Sequence, residues 1–167
     1  MPDREPAAIE RRHEDSAEQA FTTDAYGLLI GGDWVSGSTT DTVPVRDPTT
    51  GQVHATVPAA GEADVSSAVS AAHEAGDEWA GRSPRKRADR LHAVADAIRE
   101  HRDRLATAVT LDAGRPIREA SAEIPQVADR FDYFAGLARD ITGETIPAER
   151  YDLVTTYREP YGVVGAI

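Results

Sequence analysis

The stretch YREPYGVVGAI, residues 157–167, decides the fold, because it closes with an apolar run that shows no polar alternation. Residues 163–167 are β-branched where they are not small, which is typical of a strand buried on both faces of a parallel sheet. An uncovered apolar strand would be an aggregation-prone edge, and a parallel strand reaches its neighbour only through a long crossover. We therefore expect these residues to be the front piece of a longer protein, severed where a nucleotide-binding type of sheet begins.

The composition bounds the class of protein. The 167 residues are 40% hydrophobic with only 6% aromatic residues, so one domain with a core of small side chains is expected. The absence of cysteine excludes a disulfide framework, a thiolate zinc site and a thiol nucleophile within these residues. There is also no asparagine, no apolar run of membrane-spanning length and no signal peptide at the N-terminus, which predicts a soluble cytoplasmic protein without a membrane partner.

The charge balance argues against nucleic acid as a partner, because a net charge of -11 would repel phosphates. Lys86 is the single lysine among 18 basic residues, and acidic residues are spread along the whole chain. Such a surface is typical of proteins from salt-loving microbes, where ions screen the self-repulsion. A GC-rich genome that favours Arg and Ala codons explains the same composition, and both interpretations stay open.

Residues 1–25 are predicted to be a disordered acidic tail, with a regulatory or partner-binding arm as the alternative. From Tyr26 the pattern changes to short strands and tight turns. Leu28 to Val35 predicts a hairpin around Gly31-Gly32-Asp33, and Thr42 to Arg46 predicts a strand that the turn DPTTG (residues 47–51) joins to another over residues 52–57. We interpret these strands as a structural β layer without chemistry of its own.

The middle of the chain predicts three amphipathic helices, which together with the terminal strand more naturally cover a sheet than form a bundle. The first lies between Glu62 and Trp79. The second begins at Ser83-Pro84 and ends at Gly114 and Pro116. The third follows the apolar positions from 117 to 141, and Pro125 is expected to break or kink it. The second helix is expected to bury Ala88, Leu91, Val94, Ile98, Leu105 and Val109.

The segment after the helices predicts a turn over residues 143–147 and then a strand over residues 151–159. Neither face of that strand is strongly apolar, so it is an edge strand or an arm, and either one invites pairing with another chain.

Sequence motifs for catalysis are missing from these residues. The five histidines show no HExxH pair, and neither GxGxxG, a P-loop pattern nor a nucleophile elbow occurs. The acidic residues lie mainly on helix faces, where solvated charges are the usual explanation. We therefore assign no catalytic residue.

Several motifs in register nevertheless resemble the start of the aldehyde dehydrogenase superfamily over residues 28–167. In chain order they are IGGDWV (30–35), DPTTG (47–51), DV (64–65) opening an Ala-rich helix that ends at Trp79, SP (83–84), TLDAGRP (110–116), YFAG (133–136), GETIP (143–147) and REPYGVVGAI (158–167). The resemblance implies an incomplete α/β fold made of a small β layer, three amphipathic helices, an arm strand and the first strand of a Rossmann-like sheet. Residues 26–150 then match the N-terminal part of the cofactor-binding domain, 151–159 the oligomerisation arm, and 160–167 the truncated first strand of its sheet.

The resemblance also implies an activity for the intact enzyme, the oxidation of an aldehyde to a carboxylic acid with NAD or NADP. In the family a cysteine thiolate attacks the carbonyl, an asparagine amide helps to hold the oxyanion and a glutamate activates water. A chain with no Cys and no Asn cannot perform this chemistry by that mechanism, so we expect it to be inactive and to bind no cofactor alone.

Few family sites carry over to these residues. Ile167 matches the edge of the cofactor-binding segment, in an intact domain only. Val45, Arg46 and Asp112 match positions that hold a structural monovalent cation in some members, although an arginine beside a cation departs from the pattern. Tyr151 to Glu159 matches the arm that pairs between subunits, so a homo-oligomer is expected. The alternative hypothesis is a stand-alone, non-catalytic helical interaction module derived from the same fold.

Overall fold

The computed structural model describes residues 26–149 and 152–167. The predicted acidic tail over residues 1–25 and the first residue of the predicted arm, Tyr151, lie outside the described residues. The strands are β1 (Leu28–Ile30), β2 (Asp33–Val35), β3 (Thr42–Arg46), β4 (Val53–Pro58), β5 (Thr145–Pro147) and β6 (Leu153–Thr155). The helices are α1 (Glu62–Gly81), α2 (Pro84–Glu100), α3 (Arg102–Ala113) and α4 (Ile117–Leu137).

The described strands form three antiparallel pairs, β1 with β2, β3 with β4 and β5 with β6. The first hairpin is confirmed, since Gly31 and Gly32 both have positive φ (63° and 97°), as a two-residue turn between twisted strands requires. The β3–β4 hairpin is confirmed as well, with Gly51 at a φ of 76° where the DPTTG turn returns the chain to β4.

Helix α1 is confirmed close to its predicted bounds. It contacts β1, and Asp64 in its first turn accepts a hydrogen bond from the backbone N–H of Gly61, which fixes the start of the helix. Its predicted apolar face is only partly covered in the described structure, because Val65, Val69 and Trp79 all remain exposed.

The predicted second helix is two helices, α2 and α3, separated at His101. Ser83 caps α2 as expected, its Oγ accepting from the Lys86 N–H. His101 leaves helical geometry at φ -98°, ψ 18°, in the polar stretch EHRDR (100–104), where no apolar side chain continues the buried stripe. Burial also differs from the prediction: Val94 and Leu105 are exposed, whereas Ala95 and Ala106 are completely covered.

Helix α4 continues through Pro125, so the predicted break there is wrong. A proline removes one backbone hydrogen bond from a helix. The turns before and after Pro125 stay helical because their side chains pack against the neighbouring helices. Ala120, Ile124, Ala128 and Ala135 form the buried face of α4, which packs against α2 and α3. The helix ends at Leu137, short of the predicted end at residue 141.

The part of the chain after α4 differs most from the sequence prediction. Residues 145–147, expected in a turn, form β5 and pair with β6, a strand of only three residues. Residues 163–167, expected as a buried strand, adopt no strand geometry and are exposed. A central strand needs neighbours to pair with its backbone groups, and no described strand lies beside this segment.

The hydrophobic core of the described residues consists largely of alanine, as the composition predicted. A small cluster of Ala106, Ala120 and Ile124 sits where α3 meets α4, with Ile98 and Val109 packed against it. Among the described helices, none combines the length and the apolar character that crossing a bilayer requires.

Candidate functional site

The β3–β4 turn is built around the Asp47 side chain, which is only 2% exposed. Its Oδ1 accepts the backbone N–H of Thr49 at 2.7 Å, and its Oδ2 accepts the hydroxyl of Thr50 at 3.1 Å. The turn is closed by the Gly51 N–H, which donates to the Asp47 carbonyl at 2.7 Å. Aspartate and threonine at these positions make a rigid, oxygen-rich turn of the Asx type.

The C-terminal end of α3 packs on this turn. Gly114 caps the helix in the left-handed conformation (φ 68°, ψ 17°), and its N–H donates to the Thr110 carbonyl at 2.9 Å. A Cβ atom at Gly114 would lie 2.8 Å from Cγ of Pro48, so glycine is needed both for the conformation and for the close approach. The sequence motif TLDAGRP therefore meets the motif DPTTG in space.

We call the meeting of these two motifs the turn–helix junction, and define it by Val45, Arg46, Asp47, Asp112 and Gly114. Val45 and Arg46 end β3, at a register shift in its pairing with β4, and β3 contacts α3. Asp112 lies in the last turn of α3 and is exposed. The structure thus places all three predicted cation-site residues on elements that touch each other.

The Arg46 guanidinium forms a hydrogen bond with the turn. Its Nη1 donates to the Gly51 carbonyl at 3.2 Å. Arginine at this position is the departure from the family pattern noted above. The junction is otherwise rich in oxygen, from the helix-end carbonyls of α3 and the carboxylate of Asp112, and hard cations prefer such ligands. The junction thus offers oxygen ligands, which suit a cation, beside the positive charge of Arg46, which does not.

Ile167 lies outside this junction and is fully exposed. It belongs to residues 156–167, which have no regular secondary structure. Part of this segment, residues 158–160 and Gly162, lines a cavity of about 480 Å³ with His73, Asp77 and Trp79 of α1.

A second polar cluster, not anticipated from the sequence, links the β layer to α1. Asp64 is 8% exposed, and its Oδ2 accepts the backbone N–H and the hydroxyl of Ser38 at 2.9 and 2.8 Å. The backbone N–H groups of Ser38 and Gly61 and the Ser38 hydroxyl lower the pKa of this carboxyl, while burial opposes the shift. The sequence near Asp64 indicates that this aspartate caps the start of the helix. It does not indicate that Ser38, from a loop far away in the chain, is its second partner.

A third cluster bridges α2 and α4. Arg99 Nη2 donates to Asp129 Oδ1 at 2.9 Å and to Asp132 Oδ2 at 2.5 Å, and His92 Nδ1 lies 2.6 Å from Asp132 Oδ1. The hydrogen bond from Arg99, and after it that of His92, lowers the pKa of Asp132. These groups lie at the rim of the alanine-packed interface, so the cluster orients the two helices and offers no enclosed site for catalysis.

The described residues contain no group of three or more His, Cys, Asp or Glu side chains that could hold a metal ion. A cation at the turn–helix junction would therefore depend on backbone oxygens together with the carboxylate of Asp112. With no thiol in the sequence, none of these clusters can supply a cysteine nucleophile for a covalent mechanism.

The chain is similar to known proteins both in sequence and in fold. A family model described as "Aldehyde dehydrogenase family" matches residues 34–167. The fold is similar to that of a betaine aldehyde dehydrogenase from Staphylococcus aureus solved with NAD+, at 30% identity and a TM-score of 0.75, covering 81% of this chain and 27% of that one.

Two further solved structures agree with this match. An aldehyde dehydrogenase from Bacillus cereus is 33% identical with a TM-score of 0.79, covering 86% of this chain and 30% of that one. The protein HpcC from Thermus thermophilus is 29% identical with a TM-score of 0.76, covering 84% of this chain and 27% of that one. The chain thus spans less than a third of the length of these structures.

Proposed function

The chain belongs to the aldehyde dehydrogenase family, and from that membership we propose that its residues form the N-terminal part of an enzyme that oxidises aldehydes to carboxylic acids with NAD or NADP. The observation that carries the proposal is the family match over residues 34–167, supported by backbone agreement with aldehyde dehydrogenases at TM-scores up to 0.79. Residues 26–150 would then belong to the cofactor-binding domain, and residues 160–167 to the beginning of its sheet.

The role of these residues in that enzyme is to build and hold the scaffold. NAD or NADP, when bound, accepts the hydride from the substrate. The thiolate and the asparagine amide that the family uses must come from residues other than these 167, since the sequence contains neither Cys nor Asn. The family resemblance assigns the glutamate base to none of these residues either. Ile167 is the one residue here that we expect near the cofactor. By themselves, the 167 residues are proposed to be inactive.

The turn–helix junction is the proposed site of a structural monovalent cation, held by backbone oxygens of Val45 and Arg46 and by the carboxylate of Asp112. The contact between β3 and α3 and the close approach of Gly114 to Pro48 support the proposal. Such an ion would tie the β layer to the helices, because it would take ligands from both.

Residues 151–159, which contain β6, are the proposed oligomerisation arm, and β6 pairs with β5. All residues of both strands are exposed, with Leu153 at 78%, and a two-stranded ribbon has free edges on both sides. Adding a strand from a second subunit would satisfy those edges and cover the apolar side chains, which supports a homo-oligomeric enzyme.

A stand-alone interaction module is the second candidate. It is favoured by the uncovered apolar residues Val65, Val69 and Trp79 on α1 and by the lack of catalytic groups in the sequence. In that case the 167 residues by themselves would unfold cooperatively as one unit.

The test uses the native protein isolated from its source cells with an antibody against α4. Its intact mass is compared with the 18.0 kDa of this chain, and NADH or NADPH formation is followed with a panel of aliphatic and aromatic aldehydes. If aldehydes cause reduction of NAD or NADP and a thiol-alkylating reagent abolishes it, the result supports the proposed enzyme activity. A mass of 18.0 kDa, no reduction with any aldehyde and cooperative unfolding would instead favour the interaction module.

A further inference from the structure

Pro125 leaves one carbonyl of α4, that of Ser121, without its helical donor. In an α-helix each backbone N–H donates to the carbonyl four residues earlier, and proline has no N–H. The helix nevertheless runs through Pro125, from Ile117 to Leu137. The Ser121 carbonyl therefore needs a donor from outside the helix backbone, either a side chain or water.

Arg102, the first residue of α3, supplies that donor. Its Nε and Nη2 donate to the Ser121 carbonyl oxygen at 3.2 and 3.1 Å. A carbonyl oxygen has two lone pairs and can accept both hydrogen bonds, and a charged donor makes a stronger bond than a neutral one. Two N–H groups of one guanidinium thus take the place of the single N–H that proline lacks.

The position of Arg102 is unfavourable for a positive charge unless the side chain has such a partner. α3 begins at Arg102, and the N-terminal end of a helix carries partial positive charge. Because the helical structure is interrupted at His101, this arginine starts a new helix, and that helix packs against α4. The interruption therefore allows the guanidinium to meet a carbonyl 19 residues away in the chain.

The next carbonyl along α4 has a side-chain donor as well. Gln126, the residue after the proline, donates from Nε2 to the Ala122 carbonyl at 3.0 Å. A proline ring crowds the helical turn that precedes it. Side-chain donors bind the carbonyls of both Ser121 and Ala122 in this turn, as expected where backbone hydrogen bonding is interrupted.

We propose that Arg102 and Pro125 together form a latch between α3 and α4, in which the proline frees a carbonyl and the arginine occupies it. With any other residue at position 125, a backbone N–H would compete with Arg102 for the same oxygen. The latch holds the start of α3 on α4, while the close approach of Gly114 to Pro48 holds its end on the β layer. The placement of the turn–helix junction relative to α4 therefore depends on Arg102.

Native-state hydrogen exchange of the full chain, read by mass spectrometry over residues 126–137, tests the latch. Amides in this part of α4 exchange when the helix opens locally. Arg102→Met removes the donors but keeps a long side chain, and it is expected to speed exchange about three- to tenfold, as the loss of one hydrogen bond would. In a Pro125→Ala chain the same substitution should change exchange by less than about twofold, since the restored N–H at position 125 donates to Ser121.

Arg85→Met is the matched control, because Arg85 is an exposed arginine in the first turn of α2, and it should leave exchange in α4 unchanged. Circular dichroism checks the helix content of each variant. If Arg102→Met fails to fold, Arg102→Lys, in which an ammonium group replaces the guanidinium fork, is compared with and without Pro125→Ala in the same way. The proposal is overturned if the Arg102 substitution leaves exchange unchanged, if it speeds exchange equally with and without Pro125→Ala, or if Arg85→Met has the same effect.

Discussion

One oxygen of Asp64 accepts two hydrogen bonds from Ser38, a residue 26 positions earlier in the chain, at 2.9 Å from its backbone N–H and 2.8 Å from its hydroxyl. The same oxygen accepts the Gly61 N–H at 2.8 Å. A single carboxylate therefore caps α1 and also fastens the loop after β2 to it. Since β1 contacts α1, this cluster helps fix the first hairpin on the helical layer.

Asp64→Ala is expected to lower the melting temperature of the chain by several degrees. The substitution leaves three donors without their acceptor in a mostly covered position, and Asp64→Asn should have a smaller effect because its amide oxygen still accepts. Thermal unfolding followed by circular dichroism checks this, with Glu74→Ala, an exposed acidic residue of the same helix, as the control. Equal effects of Asp64→Ala and Glu74→Ala would show that the cluster is unimportant for stability.

The stability of the fold is expected to fall in acid because of Asp64 and Asp132. The hydrogen bonds from Ser38 and from Arg99, respectively, lower the pKa of each carboxyl below the ordinary value of 3.8. A lowered folded-state pKa means that the stabilisation is complete above the unfolded-state pKa and is lost as the pH falls through the folded-state pKa. Urea midpoints measured from neutral pH to below pH 3.8 should therefore decrease, and less steeply in Asp64→Asn.

Gly61→Ala and Gly76→Ala are expected to have opposite effects, although both replace a glycine at or within α1. A Cβ at Gly61 would lie 2.7 Å from Ser38 Oγ and 2.9 Å from Thr39 Cγ2, so the Ser38–Asp64 contact would be pushed apart at a cost of roughly 1–3 kcal/mol. A Cβ at Gly76 meets nothing within 4 Å, and removing a helix-interior glycine stabilises by about 0.5–1 kcal/mol. Urea unfolding of both variants measures the difference, and destabilisation by Gly76→Ala would contradict the argument.

Local patterns in the sequence were sufficient for most elements of this fold. Gly31-Gly32 and the DPTTG turn specify their hairpins through residues adjacent in the chain, and Ser83-Pro84 starts α2 by a local cap. The interruption at His101 was missed because the apolar positions on either side of it, from Val94 to Val109, follow one helical spacing in the sequence. Pro125 does not break α4, because the packing of the residues on either side outweighs the loss of one hydrogen bond.

Contacts between residues far apart in the chain could not be predicted from local sequence patterns. Ser38 and Asp64, or Arg99 and Asp132, are ordinary polar residues until the fold brings them together. Residues 163–167 show the converse, because an apolar β-branched pattern specifies a strand only where neighbouring strands are present to pair with it. The turn–helix junction could be predicted only from the family resemblance, because that resemblance related two motifs that lie far apart in the chain.

Gly114→Ala is expected to destabilise the turn–helix junction more than a left-handed glycine alone would explain. The φ of 68° costs an L-residue about 1–2 kcal/mol, and the added Cβ would overlap the ring of Pro48 at 2.8 Å. Gly32→Ala is the matched control, since Gly32 also has positive φ but a Cβ placed there would meet no atom within 4 Å. Equal losses of unfolding free energy in the two variants would mean that the contact with Pro48 contributes nothing.

Asp112→Asn is expected to remove a stabilisation by monovalent cations that the unchanged chain shows. An ion that binds only the folded state raises stability with its concentration, so replacing choline chloride by KCl or NaCl at constant ionic strength should raise the melting temperature. Constant ionic strength separates binding from the general screening that an acidic chain also experiences. Asp89→Asn, an exposed carboxylate on α2, is the control and should keep the cation effect. If choline, sodium and potassium stabilise the unchanged chain equally, or if Asp112→Asn responds like Asp89→Asn, the junction holds no specific cation and serves packing alone.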